Sequence, residues 1–190
     1  SRKIVEGCLF VCIKGANFDG HQAAAEAAEK KAAAIIVSQE VVELPKQSET
    51  TLIRVEDTRY ALAFVSAAWF DHPAKKLTTI GITGTKGKTT TTYLVKSILE
   101  NAGRKVGLVG TIEIIIGDTH IHAVNTTPES YLLQEYFAKM VESGCDTVVM
   151  EVSSQALMLH RTQGFVFDFG IFTNLEPDHI GPNEHGSFEE

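Results

Sequence analysis

The sequence contains few cysteines, no long apolar run and no excess of basic residues. Its three cysteines, Cys8, Cys12 and Cys145, form an odd and sparse set, which gives no disulfide framework and indicates a reducing compartment. No apolar stretch approaches the roughly 20 residues of a membrane-spanning helix, and no signal peptide is visible. The formal net charge is −7, which argues against non-specific nucleic-acid binding because that requires a basic surface. We therefore expect a cytoplasmic protein with no membrane or nucleic-acid partner. A monomer is a separate expectation, which these absences do not decide.

The chain does contain enough apolar residues to form a core. Hydrophobic residues make up 44% of its 190 positions, a composition that excludes disorder and suits one or two compact domains. The sequence starts at Ser1 rather than at methionine and stops on Glu189-Glu190 without a terminating pattern. We therefore expect a fragment of a longer protein.

Strand and helix patterns alternate in the first third of the chain. Apolar runs predict strands at 8–13, 35–38 and 52–55, an alanine-rich segment predicts a helix over 21–34, and Asp57 is placed to cap a helix that runs to Phe70. This order is typical of a small α/β domain. The polar, proline-containing segment 72–76 follows, so we predict domains at 1–72 and 73–190.

A second alternation of strands and helices fills the rest of the chain. The predicted strands are 77–83, 106–110, 146–152 and 165–173, a hairpin covers 113–123, and the predicted helices are 88–102, 127–143 and 154–160. Thr127 is expected to cap the second of these helices, with Pro128 as its first residue. Crossover helices imply a mostly parallel sheet with ligands at the carboxyl ends of its strands. The predicted fold class is therefore α/β in both domains.

The strongest motif is the glycine-rich segment 81–90, Gly-Ile-Thr-Gly-Thr-Lys-Gly-Lys-Thr-Thr, which lies between an apolar strand and a helix. Glycines allow backbone N–H groups to surround a phosphate, and the helix N-terminus adds partial positive charge. Lys88 is placed to reach the β- and γ-phosphates, and the Thr89 hydroxyl is placed to bind Mg²⁺. The common pattern needs a glycine where Ile82 stands, so the loop is a shorter variant of the usual phosphate-binding loop.

Three polar clusters follow later strands of the same predicted sheet. Glu151 ends one strand and suits Mg²⁺, although a solvated glutamate is the plainer alternative. His179, next to Asp178, could offer a ring nitrogen to a second metal or be a surface residue. Asn125-Thr126-Thr127 suits an anionic ligand in addition to the capping role of Thr127. Arg161 could pair with a carboxylate or pyrophosphate, or be a surface charge.

These motifs together resemble those of the Mur ligases. Gly-Thr-Lys-Gly-Lys-Thr-Thr (84–90), Asn-Thr-Thr-Pro-Glu (125–129), Glu-Val-Ser-Ser (151–154) and Thr-Asn-Leu-Glu-Pro-Asp-His (173–179) occur in the order seen in that family. The resemblance is closest to the UDP-N-acetylmuramoyl-tripeptide synthetases, MurE, because the N-terminal segments Gly7–Val11 and Phe18–His21 resemble their uridine-binding domain. The chain departs from the usual family residues at three places: Lys86 stands in place of asparagine, Gln155 in place of histidine, and Ile180-Gly181 in place of Leu-Asp after Asp178-His179.

The resemblance implies a role for each matching residue. ATP would be held by Gly84, Thr85, Lys86, Gly87, Lys88, Thr89 and Thr90; Mg²⁺ by Thr89, Glu151 and His179; the UDP-sugar dipeptide by Asn125, Thr126, Thr127, Ser153 and Arg161; and the uridine end by Ser1, Ala16, Asn17 and Phe18. Lys88, Glu151 and His179 would carry the catalysis. Residues 1–72 would bind UDP, and residues 73–190 would be an incomplete central ATP-binding domain.

The implied activity is ATP-dependent amide-bond formation. The enzyme would add a third amino acid, L-lysine or meso-diaminopimelate, to UDP-N-acetylmuramoyl-L-Ala-D-Glu through an acyl phosphate, for peptidoglycan synthesis. The sequence leaves two alternatives open. One is another ligase of this type, such as a folylpolyglutamate or cyanophycin synthetase. The other is that this chain by itself is a non-catalytic module that binds nucleotide or UDP-sugar.

Overall fold

The computed structural model describes residues 4–15, 18–38, 43–178, 181, 187 and 189. The chain divides into two compact units, Ser1–Leu62 and Ala63–Glu190. The domain boundary between residues 72 and 73 stays a prediction. Among the described residues, no helix is long and apolar enough to cross a bilayer.

The first unit is built on a three-stranded parallel sheet. Its strands β1 (Leu9–Val11), β2 (Ala34–Val37) and β3 (Thr51–Arg54) lie in the order β1-β2-β3. A 3₁₀ turn, Gly20–Ala23, leads into the helix α1, Ala24–Glu29. The core is formed mainly by small residues from α1 and the sheet, namely Cys12, Ala24, Ala27, Ala28, Ala32, Ile35 and Val37.

The predicted helix over 21–34 is therefore too long. The Asp19 carboxylate accepts a hydrogen bond from the His21 N–H and starts a 3₁₀ turn instead of an α-helix. At the other end, Lys31 has a positive φ of 58°, which stops the helix before β2. His21 is buried beside this turn. Its Nδ1 lies 2.6 Å from Asp19 Oδ1, and its Nε2 accepts from the Ser38 N–H at 3.0 Å.

The second unit contains a six-stranded sheet in the order β7-β6-β5-β8-β4-β9. The strands β9, β4, β8 and β5 are parallel, and the hairpin β6–β7 continues the sheet in antiparallel fashion, which confirms the predicted mostly parallel sheet. The strand bounds are β4 (Thr78–Thr83), β5 (Val106–Val109), β6 (Glu113–Ile116), β7 (Thr119–His122), β8 (Thr147–Glu151) and β9 (Phe169–Phe172). Every residue of β8 is buried, as expected for a central strand in a parallel sheet.

Among the described residues, four α-helices accompany these strands. Their bounds are α2 (Thr58–Trp69), which begins before the division between the units, α3 (Lys88–Asn101), α4 (Ser130–Glu142) and α5 (Ser154–Met158). Asp57 Oδ1 accepts from the N–H groups of Arg59 and Tyr60, which confirms the predicted cap of α2. Gly103 follows α3 with φ 85°, and its N–H donates to Glu100 O, as predicted for a glycine that ends a helix.

Two predicted elements of this unit are wrong at their ends. Thr127 does not cap α4, because its hydroxyl accepts from the Ser153 N–H at 3.1 Å and donates to Glu151 O at 2.9 Å. The helix begins at Ser130, and Pro128 lies before it. The last strand covers Phe169–Phe172 rather than 165–173. Phe165 and Phe167 pack instead against the hydrophobic cluster that contains Leu133, Phe137 and Met140. Their two rings meet edge to face.

Candidate functional site

The glycine-rich loop joins β4 to α3 at the carboxyl end of the sheet. Gly87 adopts φ 83° immediately before α3, and no side chain caps the helix. The N–H groups of the first turn are therefore available to an anion. Lys88 folds over the loop, with its Nζ donating to Gly84 O at 2.6 Å and to Thr85 O at 3.0 Å. The loop has the backbone shape and the cation that a phosphate site requires.

One side of this loop is held by the residues that follow β9, a segment that we call the loop clasp (Thr173, Asn174 and Glu176). The Thr173 hydroxyl and the Asn174 amide both donate to Lys86 O, and Asn174 Oδ1 accepts from the Lys86 N–H at 2.9 Å. The Thr85 hydroxyl bonds to the main chain of Glu176. Gly84 is required here, because a Cβ would lie 2.2 Å from Thr173 Oγ1 and 2.8 Å from Asn174 O.

The other side of the loop meets a buried carboxylate, in a group that we call the Glu151 corner (Thr89, Gly110, Thr111, Thr126 and Glu151). Glu151 is only 1% exposed. Its Oε2 accepts from the Thr89 hydroxyl at 2.9 Å and from the Thr111 hydroxyl at 3.1 Å, and its Oε1 accepts from the Thr111 N–H at 2.8 Å. The plainer alternative, a solvated strand-end glutamate, is excluded by this burial.

The segment 125–127 lies against the end of β8. Thr127 is 1% exposed; its hydroxyl donates to Glu151 O and accepts from the Ser153 N–H at 3.1 Å. Arg161 Nη1 donates to Thr127 O at 3.2 Å, and its Nη2 lies 2.9 Å from Glu129 Oε1. Arg161 is therefore not a free surface charge, because it is held against the segment with its side chain 12% exposed.

The phosphate loop, the segment 125–127 and Arg161 face one cavity of about 460 Å³. The predicted site residues that line it are Gly84, Thr85, Lys88, Asn125, Thr126, Thr127, Ser153 and Arg161. Thr89 and Glu151 do not line the cavity, but Glu151 is bonded to the lining residue Thr127, and Thr89 is bonded to Glu151. The structure thus brings together predicted site residues that are up to 77 positions apart in the chain, since Gly84 and Arg161 line the same cavity.

Other predicted residues are not part of this arrangement. Ser1, Ala16, Asn17 and His179 lie outside the described residues. Phe18 is in the first unit and is 47% exposed. Lys86 forms an ion pair with Glu176, which raises the pKa of the lysine ammonium above its usual value.

Sequence reasoning missed Gly110 and Thr111. The signal that could have identified them is their position directly after β5, at the same sheet edge as the phosphate loop and Glu151. Because parallel strands end together, the residue after β5 comes close to the residue that ends β8. Only the register of β5 with β8 shows that Gly110 and Thr111 lie next to Glu151.

The corner offers oxygen ligands of the kind that Mg²⁺ prefers. A carboxylate and a hydroxyl stand 2.9 Å apart at the mouth of the phosphate loop, and Mg²⁺ is usually completed by water and nucleotide phosphates. In the part of the chain that the structure describes, no three His, Cys, Asp or Glu side chains could hold a metal by themselves. The donor set therefore fits a metal that arrives with a nucleotide.

Comparison with known proteins agrees with the architecture and the motifs. Residues 82–190 match the Mur ligase middle domain, and residues 1–70 match the Mur ligase family, catalytic domain. The chain is 49% identical over 189 residues to a UDP-N-acetylmuramoyl-L-alanyl-D-glutamate–2,6-diaminopimelate ligase of Clostridium perfringens, and 47% identical over 190 residues to that of Bacillus licheniformis. Each alignment covers 100% of this chain and 38% of the relative.

A solved structure supports the fold independently. A UDP-N-acetylmuramoyl-L-alanyl-D-glutamate–2,6-diaminopimelate ligase superimposes with a TM-score of 0.78 at 23% identity, over 99% of this chain and 37% of that one. A MurF ligase from Thermotoga maritima in complex with ADP reaches 0.57 at 24% identity, over 91% of this chain and 36% of its own. The chain thus spans less than two fifths of the proteins it matches. On the family matches and the motifs that carry them, this chain belongs to the Mur ligase family.

Proposed function

We propose that the protein containing this chain is an ATP-dependent ligase that adds 2,6-diaminopimelate to UDP-N-acetylmuramoyl-L-Ala-D-Glu. The observation that carries the proposal is the single cavity shared by the phosphate loop and the segment 125–127, with Glu151 between them. Such an arrangement brings a nucleotide and a second anionic substrate to one carboxylate. The choice of 2,6-diaminopimelate over L-lysine rests on the names of the relatives.

The nucleotide end of the cavity is the phosphate loop. Gly84–Thr90 would hold the phosphates of ATP chiefly through the N–H groups of Gly87–Thr90, because the Lys86 N–H is bonded to Asn174 Oδ1. Lys88 would exchange its two carbonyl partners for phosphate oxygens. Thr89 and Glu151 would hold Mg²⁺, with His179 as a ligand of a second ion. Bound Mg²⁺ would neutralise charge on the phosphates. Lys86 is already paired with Glu176, so we place it outside direct phosphate contact.

The substrate end of the cavity carries hydroxyl, amide and guanidinium donors. Asn125, Thr126, Thr127, Ser153 and Arg161 would bind the dipeptide part of the UDP-linked substrate. Arg161 is fixed by Thr127 O and Glu129, so its remaining donors are oriented before a carboxylate arrives. The uridine end would lie on the first unit, with Ser1, Ala16, Asn17 and Phe18.

The proposed reaction has two steps. A carboxylate oxygen of the dipeptide attacks the γ-phosphorus of ATP, the bond to the ADP oxygen breaks, and an acyl phosphate forms. The amine of the third amino acid then attacks the acyl carbon, phosphate leaves, and the amine proton passes to solvent. The protein's part is to orient the two anions and to stabilise the transferred charge through Lys88 and the loop amides.

The test is calorimetric titration with UDP-N-acetylmuramoyl-L-Ala-D-Glu, using the tripeptide form and UMP as controls, followed by an assay of ADP release by the full-length protein. We expect selective binding of the dipeptide form, and turnover with 2,6-diaminopimelate. Turnover with L-lysine alone would reassign the amino acid. Turnover only with folate or a polypeptide acceptor would assign another ligase of the family.

A binding module is a second candidate for residues 1–190 alone. It is favoured by the chain covering only 38% of its relatives. We therefore expect the isolated chain to bind nucleotide without releasing ADP. The full-length protein is proposed to act in the cytoplasm as a monomer, with no nucleic-acid or membrane partner.

A further inference from the structure

The turn between β5 and β6 surrounds the Glu151 carboxylate. Thr111 binds both carboxylate oxygens, one through its N–H and the other through its hydroxyl. Gly110 allows this approach, because a Cβ at that position would lie 2.6 Å from Glu151 Oε1. The turn is closed by a hydrogen bond from the Gly110 N–H to Glu113 O at 3.1 Å. The carboxylate is therefore oriented by the turn as well as by Thr89.

The Thr111 hydroxyl has a second neighbour. It lies 3.0 Å from the Thr126 hydroxyl, in the segment that faces the cavity. A hydroxyl has one proton to donate, and a carboxylate is the stronger acceptor. Thr111 therefore donates to Glu151 and accepts from Thr126. The result is a continuous path of side chains from Thr89 through Glu151 and Thr111 to Thr126.

The turn is also anchored to the helix that carries Lys88 and Thr89. Glu113, at the start of β6, accepts from the Tyr93 hydroxyl of α3 at 2.8 Å and lies 2.7 Å from His120 Nδ1. Burial, and then the bond to Glu113, raises the pKa of Tyr93 to about 12, so the phenol stays a donor at neutral pH. A displacement of Thr111 would thus disturb α3 as well as the segment 125–127.

We propose that Thr111 is a positioning residue that couples the metal and nucleotide end of the cavity to the substrate end. The proposal rests on the proposed function, since it assumes that Glu151 meets Mg²⁺ and that Thr126 meets the UDP-linked substrate. With its Oε2 fixed by Thr111, Glu151 presents one geometry to the metal. A shift of Thr126 on substrate binding would be transmitted through Thr111 to Glu151 Oε2. Because such coupling is reciprocal, each ligand changes the affinity for the other by the same factor.

The test is Thr111→Val in the full-length protein, which removes the hydroxyl but keeps the branched shape and the backbone N–H to Glu151. Calorimetry measures ADP binding with Mg²⁺ and with EDTA, each with and without UDP-N-acetylmuramoyl-L-Ala-D-Glu. We expect the Mg²⁺-dependent gain in ADP affinity to fall about tenfold, in line with loss of a hydrogen bond to a charged group. We also expect the effect of substrate on ADP affinity to disappear.

Two further variants keep the result decisive. Thr111→Ser restores the hydroxyl and should restore both effects, and Thr119→Val, on the exposed hairpin, should change neither. A serine variant that behaves like valine would mean that the methyl group matters and would overturn the proposal, as would a valine variant with unchanged Mg²⁺ dependence. If wild-type protein binds MgADP but neither binds nor uses the substrate, the proposed function fails. The Mg²⁺ dependence of ADP binding in Thr111→Val then still tests the part of this proposal that concerns Thr111 and Glu151.

Discussion

The two sides of the phosphate loop are held by different kinds of interaction. The loop clasp comes from one continuous segment, 173–176, and binds largely the main chain of Thr85 and Lys86. The Glu151 corner is assembled from α3, the β5–β6 turn, the segment 125–127 and β8, and its bonds converge on one buried carboxylate. The clasp therefore fixes the loop's shape, whereas the corner fixes a charge. Substitutions in the clasp should mainly lower the free energy of unfolding, and substitutions in the corner should mainly lower the activity.

The largest effect is expected for Lys88→Ala, because Lys88 lies over the loop and is the cation placed to meet the transferred phosphate. In the full-length protein kcat should fall at least ~10²-fold, in line with loss of one transition-state charge contact of ~3 kcal/mol. Steady-state ADP release measures it. Wild-type turnover in this variant would contradict the assignment of the loop.

The next effect is expected for Glu151→Gln, which keeps the shape of the corner but removes its charge. The Mg²⁺ concentration for half-maximal activity should rise at least about tenfold, since a neutral amide is a weaker ligand and its NH₂ group opposes the Thr89 and Thr111 donors. A Mg²⁺ titration of ADP release measures this. Glu176→Gln in the clasp is the matched control and should leave the Mg²⁺ requirement unchanged.

A stability effect is expected from Gly84→Ala, at the point where the loop contacts the clasp. Its φ of 130° is unfavourable for alanine, and the new Cβ would meet Thr173 and Asn174, so the free energy of unfolding should fall by about 3 kcal/mol. Gly87→Ala is the matched control; its φ is 83° but nothing lies within 4 Å of the new Cβ, so the loss should be about 1 kcal/mol. Urea unfolding followed by circular dichroism compares the two variants. Equal losses of unfolding free energy would mean that the contact of the new Cβ with Thr173 and Asn174 contributes nothing to the destabilisation.

The smallest effect is expected for Lys86→Ala. Lys86 and Glu176 are both well exposed, and exposed ion pairs contribute less than about 1 kcal/mol. The KM for ATP and kcat should each stay within about threefold of wild type. A loss as large as that of Lys88→Ala would show that Lys86 leaves Glu176 to contact phosphate.

Individual residues show what could be predicted from the sequence. The phosphate loop, α3 and the cap at Asp57 were predictable because they depend on neighbours within a few positions. The helix over 21–34 and the cap at Thr127 were predicted wrongly, because Asp19 accepts the His21 N–H and because the Thr127 hydroxyl is bonded to Glu151 O and to the Ser153 N–H. In each case a tertiary or turn interaction replaced the expected helical one.

The sequence by itself determined the α/β alternation, the phosphate loop and the membership of the Mur ligase family, since these depend on short-range periodicity and on motifs in a fixed order. Only the tertiary structure decided which polar residues meet. The sheet order places β8 between β5 and β4, so residues that follow separate strands converge on Glu151. Thr111 belongs to the Glu151 corner for the same reason, because its contact with a residue 40 positions away depends on strand register and not on any local pattern.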